Sequence, residues 1–253
     1  MNIVVLAQES ASTWMMVNAL REKWPSISVM LEKPVSRRTL LERRARRLGW
    51  WAVLGQLMFM ALVPFLSRSG SSRRKELVQQ ARLKTERPSG IEIHDCESVN
   101  SPACIAWLRE QRPDIVVVNG TRIISSAVLA ASDAKFLNTH CGITPAYRGV
   151  HGGYWALYCN DPANAGVTVH LVNSGIDTGD ILYQQTIDVD ARDSFVTYPV
   201  KQYVAGIPLM MKAIDDIVAG RLQAFRRDDL QSTLWHHPTI WQYLSGRLLR
   251  GVR

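Results

Sequence analysis

A chain of 253 residues, 47% of them apolar, can bury the core of one large α/β domain or of a domain with a small appendage, which excludes wholesale disorder. The formal charge of +8 is concentrated: residues 33–87 carry 14 basic and 3 acidic side chains, so the remainder is net negative. That distribution speaks against a general nucleic-acid-binding surface and for an inserted element facing something anionic.

In chain order, Met1 to Leu6 has no basic leader and too short an apolar run for a signal peptide, and reads as a first buried strand. Ser10 to Trp24 has helical spacing, Ser26 to Leu31 suggests a second strand and Gly90 to His94 a third. Pro102 to Arg112 predicts a helix. Asp114 to Asn119 is an apolar run of the kind found in buried parallel strands, Ser125 to Ala131 a short helix, and Phe136 to His140 another strand. Strands alternating with helices predict a Rossmann-like, mostly parallel sheet with ligands at the carboxyl ends of its strands. Gly166 to Val172 and Ile181 to Val189 are strands around a Gly- and Asp-rich loop, 173–180. Phe195 to Arg221 is a helical pattern interrupted near Gly206 and Pro208, and the tail from Gln223 to Arg253 is basic and irregular. The expected organisation is an α/β catalytic domain over 1–190, with a basic, apolar helical insertion at about 37–87, and a short C-terminal extension, helix and tail, over 191–253.

Within the insertion, Leu48 to Leu66 is an uncharged run of 19 residues in which Gln56 is the strongly polar side chain. Arg43, Arg44, Arg46 and Arg47 precede it, and Arg68, Arg73, Arg74 and Lys75 follow. Its length just reaches that of a membrane span, but Gly49, Gly55 and Pro64 weaken it, and two basic flanks give no inside–outside bias. Three placements stay open: packed on the domain or on a second subunit as a homodimer contact, lying on a membrane surface as a peripheral contact, or spanning the bilayer. Cys96, Cys104, Cys141 and Cys159 show neither a C-x-x-C pair nor zinc spacing, and His236-His237 has no partner at ligand spacing. Reduced thiols, no metal and a cytoplasmic location, with or without membrane association, are expected.

The chemistry concentrates between Phe136 and Ile187. Asn138 and His140 stand two apart on a strand, so they share a face at its carboxyl end and can direct two donors at one developing oxyanion. Asp177 lies between Gly175 and Gly179, where the backbone can bend sharply toward His140, fix its orientation and accept a proton through water. Cys141 neighbours His140, but adjacent strand residues face opposite sides, which disfavours a thiol–imidazole dyad. His151 can start a helix at the pocket rim, and His170 can pack or bond to the closing loop.

These residues stand in an ordered set: Asn138-Thr139-His140, Thr144 to His151 with Arg148-Gly149-Val150-His151, Gly166 to His170, and Gly175-Ile176-Asp177-Thr178-Gly179-Asp180. The set resembles the folate-dependent formyltransferase family, which includes the glycinamide ribonucleotide, methionyl-tRNA and sugar N-formyltransferases. The resemblance covers about Asp114 to Val189. It implies the Rossmann-like formyltransferase fold, 10-formyltetrahydrofolate as cosubstrate, a small-molecule primary amine as acceptor, and Asn138, His140 and Asp177 as catalytic residues. It further implies folate contacts at Thr121, Arg122, Ile123, Ile124, Val172 and Asn173, and acceptor contacts at Cys141, Gly142, Tyr147, Arg148 and His151.

Departures narrow the acceptor. The family's Pro-Ser-Leu-Leu-Pro reads Cys141-Gly142-Ile143-Thr144-Pro145 here. The place of the ribonucleotide enzyme's glycine-rich phosphate loop reads Gln8-Glu9-Ser10-Ala11-Ser12, which disfavours that substrate. About 65 residues after Val189 are too few for the RNA-binding barrel of the tRNA enzymes. Arg148-Gly149-Val150-His151 followed by Tyr154-Trp155-Ala156 resembles the pattern of the sugar N-formyltransferases, and that resemblance implies an amino sugar on a nucleotide carrier as the acceptor. The rival readings are glycinamide ribonucleotide formyltransferase, a 10-formyltetrahydrofolate hydrolase using the same residues, and a non-catalytic folate-binding scaffold.

Overall fold

The computed structural model describes residues 1–253, the side chains of Arg37 and Arg43 apart. The β-branched run Ile3–Ala7 forms β1 and is buried on both faces. Ser10 then caps α1 (Ala11–Lys23) by accepting from the Thr13 N–H. β2 (Ile27–Glu32) is followed by three helices, α2 (Arg37–Leu48), α3 (Trp50–Ser69) and α4 (Ser71–Gln80). β3 (Glu92–Cys96), α5 (Pro102–Gln111), β4 (Ile115–Asn119), α6 (Ser126–Leu129) and β5 (Lys135–His140) resume the alternation. The short β6 (Arg148–Gly149), α7 (Gly152–Tyr158), β7 (Gly166–Leu171), β8 (Ile181–Thr186), α8 (Tyr198–Val218), β9 (Leu234–Trp235) and α9 (Ile240–Leu249) complete the chain.

The sheet order is β3-β2-β1-β4-β5-β7-β8. Strands β1 to β5 pair in parallel, whereas β7 and β8 are antiparallel to their neighbours. This is the expected Rossmann-like α/β architecture with a mostly parallel sheet. Alternation along β1 divides the core: Ile3 and Val5 face a layer containing Trp14, Leu20, Ile207, Met210 and Ile214 of α1 and α8. Val4 and Leu6 face Cys104, Leu108 and Val128 of α5 and α6. Each such fully buried side chain contributes about 1.5–3 kcal/mol of transfer free energy.

Two expectations need correction. The helix expected to break near Gly206 and Pro208 runs unbroken as α8. Gly206 is there because the helix lies tight on the sheet: a β-carbon would sit 2.7 Å from the Thr139 methyl and 2.9 Å from Val167. α8 places Ile207, Met210 and Ile214 in the central core. The tail expected to be irregular contains α9, whose N-terminus carries a complete capping box between Thr239 and Gln242. Of the placements left open for the apolar run, the structure shows α3 packed on the domain along one face. Its inner residues Val53, Gln56 and Phe59 pack inward, Phe59 against Phe195 and Tyr243 in an aromatic cluster shared with α7, α8 and α9. Its outer face stays exposed.

Candidate active site

β5 delivers Asn138 and His140 to the carboxyl edge of the sheet, as their spacing predicts. The antiparallel register of β7 sets His170 directly across from Asn138. The loop between β7 and β8 folds back over this edge. Asn173 Oδ1 accepts from the Gly175 N–H at 3.0 Å and from the Thr178 hydroxyl at 2.8 Å, and Asp177 itself adopts a left-handed φ of 50°. Asp177 is thereby turned inward, with Oδ2 3.4 Å from His140 Nδ1 and accepting from the Gly149 N–H at 2.9 Å. Its other oxygen lies 3.6 Å from His170 Nε2 and 3.5 Å from Asn138 Nδ2.

Two carbonyls fix the protons. His140 Nε2 lies 2.6 Å from the Tyr147 carbonyl oxygen, which can only accept, so Nε2 carries a hydrogen and Nδ1 is the ring atom left facing Asp177. His170 Nδ1 likewise donates to the Leu171 carbonyl at 2.7 Å, so its Nε2 accepts from Asn138 Nδ2 at 3.1 Å. The second N–H of Asn138 has only the long Asp177 contact and can turn to another acceptor. Burial alone would raise the Asp177 carboxyl, but His140 and the Gly149 N–H outweigh it and hold the group well below the usual carboxylate range. Cys141 goes the other way, pushed up to about 12 by burial and by the Asp177 charge, which removes it as a nucleophile at neutral pH.

These groups line one cavity of about 630 Å³. Thr121, Arg122, Ile123, Ile124, Val172 and Asn173 line it too, and so do Cys141 and His151. Three expected acceptor contacts do not. Tyr147 is buried, with its hydroxyl donating to Asp161 and its carbonyl holding His140. Gly142 packs beneath His140, where a β-carbon would come 2.7 Å from Nε2. Arg148 donates to the Ile176 carbonyl at 3.2 Å and braces the closing loop from behind. Arg122 lines the cavity, but its guanidinium and N–H are held by buried Glu32, both at 2.6 Å. It shapes the 120–124 loop instead of offering a free charge, and the backbone edge available to a ligand there is narrower than the motif suggests.

The opposite wall is made of residues that no sequence motif groups together. Arg44, Arg47 and Leu48 of α2, Gln56 of α3, Tyr203 of α8 and Trp235, His236 and His237 from the tail all reach the cavity. His237 Nδ1 lies 2.9 Å from His151 Nε2. Burial, with nearby His237 and Arg44, depresses His151 to about 3, and burial with Arg44 depresses His237 to about 4. Both rings are neutral in the folded protein at pH 7. His170 stands in the motif set, but its place across from Asn138 follows only from pairing β7 with β5 in register.

An amide, two imidazoles and a carboxylate converging on a cleft at the carboxyl edge of a parallel sheet define an enzyme-like site built to stabilise charge on a small oxygen centre. The Formyl transferase family model matches residues 70–214, more than half the chain, and the chain belongs to that family. Among curated relatives it is 26% identical over 160 residues to a methionyl-tRNA formyltransferase of Caldanaerobacter subterraneus, covering 63% of this chain and 49% of that protein. It is 28% identical over 165 residues to the one of Anaeromyxobacter dehalogenans, covering 65% and 53%. The chain spans about half the length of the curated relatives it matches. Its fold is that of glycinamide ribonucleotide transformylase 1 from Symbiobacterium toebii, with a TM-score of 0.59, 20% identity and coverage of 92% and 94% of the two chains. A sugar N-formyltransferase from a Shewanella species matches with a TM-score of 0.59, 14% identity and coverage of 93% and 76%.

Proposed function

We propose that this protein transfers a formyl group from 10-formyltetrahydrofolate to a primary amine, and that the amine belongs to an amino sugar on a nucleotide carrier. The observation that carries the reading is the convergence of Asn138, His140 and Asp177 on a cavity large enough for a ring system and an acceptor side by side. The residues suit a reduced pterin: apolar Val118, Ile124 and Val172 would flank a flat ring, and the backbone of 121–124 and 172–173 would meet its polar edge. When bound, the folate supplies an activated formyl group.

The chain's own residues then divide the work. His140, held from behind by the Tyr147 carbonyl, donates from Nδ1 when the ring carries both protons, and Asn138 presents its second N–H, so a carbonyl oxygen between them would receive two hydrogen bonds. Donors of this kind each lower a barrier by about 3 kcal/mol. Asp177 is too acidic to be an effective base near neutral pH. We therefore assign it to orienting His140 and stabilising positive charge on the ring, and assign removal of the amine proton to solvent in the cavity. His170 is a positioning residue, because it touches Asn138 and Asp177.

The amino-sugar nucleotide is favoured by Arg44 and Arg47 at the cavity rim, which can meet phosphate oxygens. The turn after β1 favours it further: Ser10 already caps α1 and Glu9 adds a negative charge, so a phosphate has no free cradle there. The sugar acceptor named for the Shewanella protein agrees with this choice. The test is a screen of nucleotide-linked amino sugars with 10-formyltetrahydrofolate. Tetrahydrofolate release accelerated by one of them is expected. Release that no amine accelerates would sink the transferase reading, and formate appearing without amine would turn it into a hydrolase.

A further inference from the structure

α3 is apolar on two faces, and the protein covers one. Phe59 is 1% exposed, Gln56 donates to the His237 carbonyl at 2.8 Å, and Gly55 lies so close to α9 that a β-carbon would come 2.7 Å from Trp241 Nε1. On the other face Trp50 is 71% exposed, Trp51 72% and Phe65 64%, with Leu54, Leu57, Met58 and Met60 also exposed between them. Trp51 stacks on Trp241 of α9 at 5.4 Å, and beyond it Leu244 and Leu248 are exposed as well, so the two helices present one continuous apolar platform. A helix apolar all round needs an apolar medium on each side, and water is not one.

Charge identifies the second medium. Ion pairs hold Arg38, Arg73, Lys33 and Lys84. Among the described residues no carboxylate lies within ion-pair distance of Arg46 or Arg68, which stand at the two ends of the platform. A two-fold contact between copies through this face would bring those unpaired cations together. Spanning the bilayer would require pulling Phe59 and Gln56 out of their contacts and burying the inner face in lipid. A flat pose requires neither: apolar side chains enter the acyl boundary, tryptophans sit at headgroup depth and arginines meet anionic headgroups.

We propose that α3 and α9 form a docking face for an anionic lipid bilayer, on which the protein lies peripherally with α3 parallel to the surface. Because Leu48 lines the cavity and Trp50 begins the platform, docking sets the cavity mouth beside the headgroup layer. The proposal stands apart from the formyl-transfer reading, and its test uses neither folate nor amine.

The experiment is co-sedimentation of the full chain with vesicles of mixed phosphatidylglycerol and phosphatidylcholine, against phosphatidylcholine alone, with tryptophan emission followed in parallel. Binding to the mixed vesicles that is about tenfold tighter than to phosphatidylcholine, with a blue shift, is expected. L57E combined with M58E places charges on exposed positions, so folding is retained, and about a tenfold loss of binding is expected. R46E with R68E should abolish the preference for phosphatidylglycerol. Protein left in the supernatant with both vesicles would overturn the proposal, as would equal binding by the wild-type chain and the L57E/M58E variant. So would sedimentation velocity showing a lipid-free dimer that L57E/M58E dissociates.

Discussion

Asn138, His140 and His170 reach the cavity from two neighbouring strands, whereas Arg44 and Gln56 reach it from the inserted helices, His151 from the start of α7 and His237 from the tail. On the strand wall, geometry follows from pleat and register, and each polar group is tied to a backbone carbonyl or to Asp177. On the facing wall, geometry follows from an aromatic cluster that holds an insertion, α3, against a tail helix, α9. The lesson is that the two walls should fail differently: the first by losing chemistry in an intact protein, the second by losing shape first and acceptor recognition with it.

The sharpest break of the strand wall is Asp177→Asn. It keeps the volume and removes the charge that holds His140, so about 10²–10³ in kcat should be lost in a protein that still melts as one cooperative unit, at a lower temperature because the carboxylate's stabilising contribution goes with it. Single-turnover formyl transfer beside thermal melts checks both halves. On the facing wall Phe59→Ala should cost about 3–5 kcal/mol of stability, because the ring is fully buried between Phe195 and Tyr243. Chemical denaturation reads it, and a loss under about 1 kcal/mol would mean that α3 is not an integral part of the fold.

Acid should separate the walls in order. His151 and His237 are depressed to about 3 and about 4, so the unfolded chain protonates first and stability falls as the pH drops below about 6.5. Asp177 is depressed as well, and for a carboxylate the stability it confers is present above its unfolded value, about 3.9, and lost only below it. Melting temperature against pH should therefore decline in two stages, and His237→Gln should flatten the upper one. Arg44→Gln should be milder still. It should raise the acceptor KM about tenfold and leave the folate KM unchanged, as expected for loss of one charge-assisted contact.

How much of this was legible in the sequence follows the same division. The strands and the Asn138–His140–Asp177 set were readable because apolar runs and period-two alternation are local properties. His170 needed the β5–β7 register, which is a tertiary fact. Tyr147 and Arg148 sit within the motif yet back the site instead of lining it, since a motif records neighbours in sequence and not which way a loop turns. The interruption expected near Gly206 was a true local signal outweighed by close packing of α8 on Thr139 and Val167. His237 meeting His151 had no signal at all, because 86 residues separate them.

The tail helix is the exception that sharpens the comparison, because its start was written locally. Thr239-Ile240-Trp241-Gln242 is a capping box: the Gln242 N–H donates to the Thr239 hydroxyl at 3.3 Å, and the Thr239 N–H donates to Gln242 Oε1 at 2.9 Å. Thr239→Ala removes the side-chain half of that exchange and should cost about 1 kcal/mol. Yet the helix it starts carries Tyr243 into the aromatic cluster and Trp241 onto Trp51. If the facing wall is one cooperative unit, native-state hydrogen exchange in Thr239→Ala should speed up in α3 as well as α9, by the same factor of about five. Faster exchange confined to α9 would show that α3 is held by the sheet-side core alone, and that the wall is two parts rather than one.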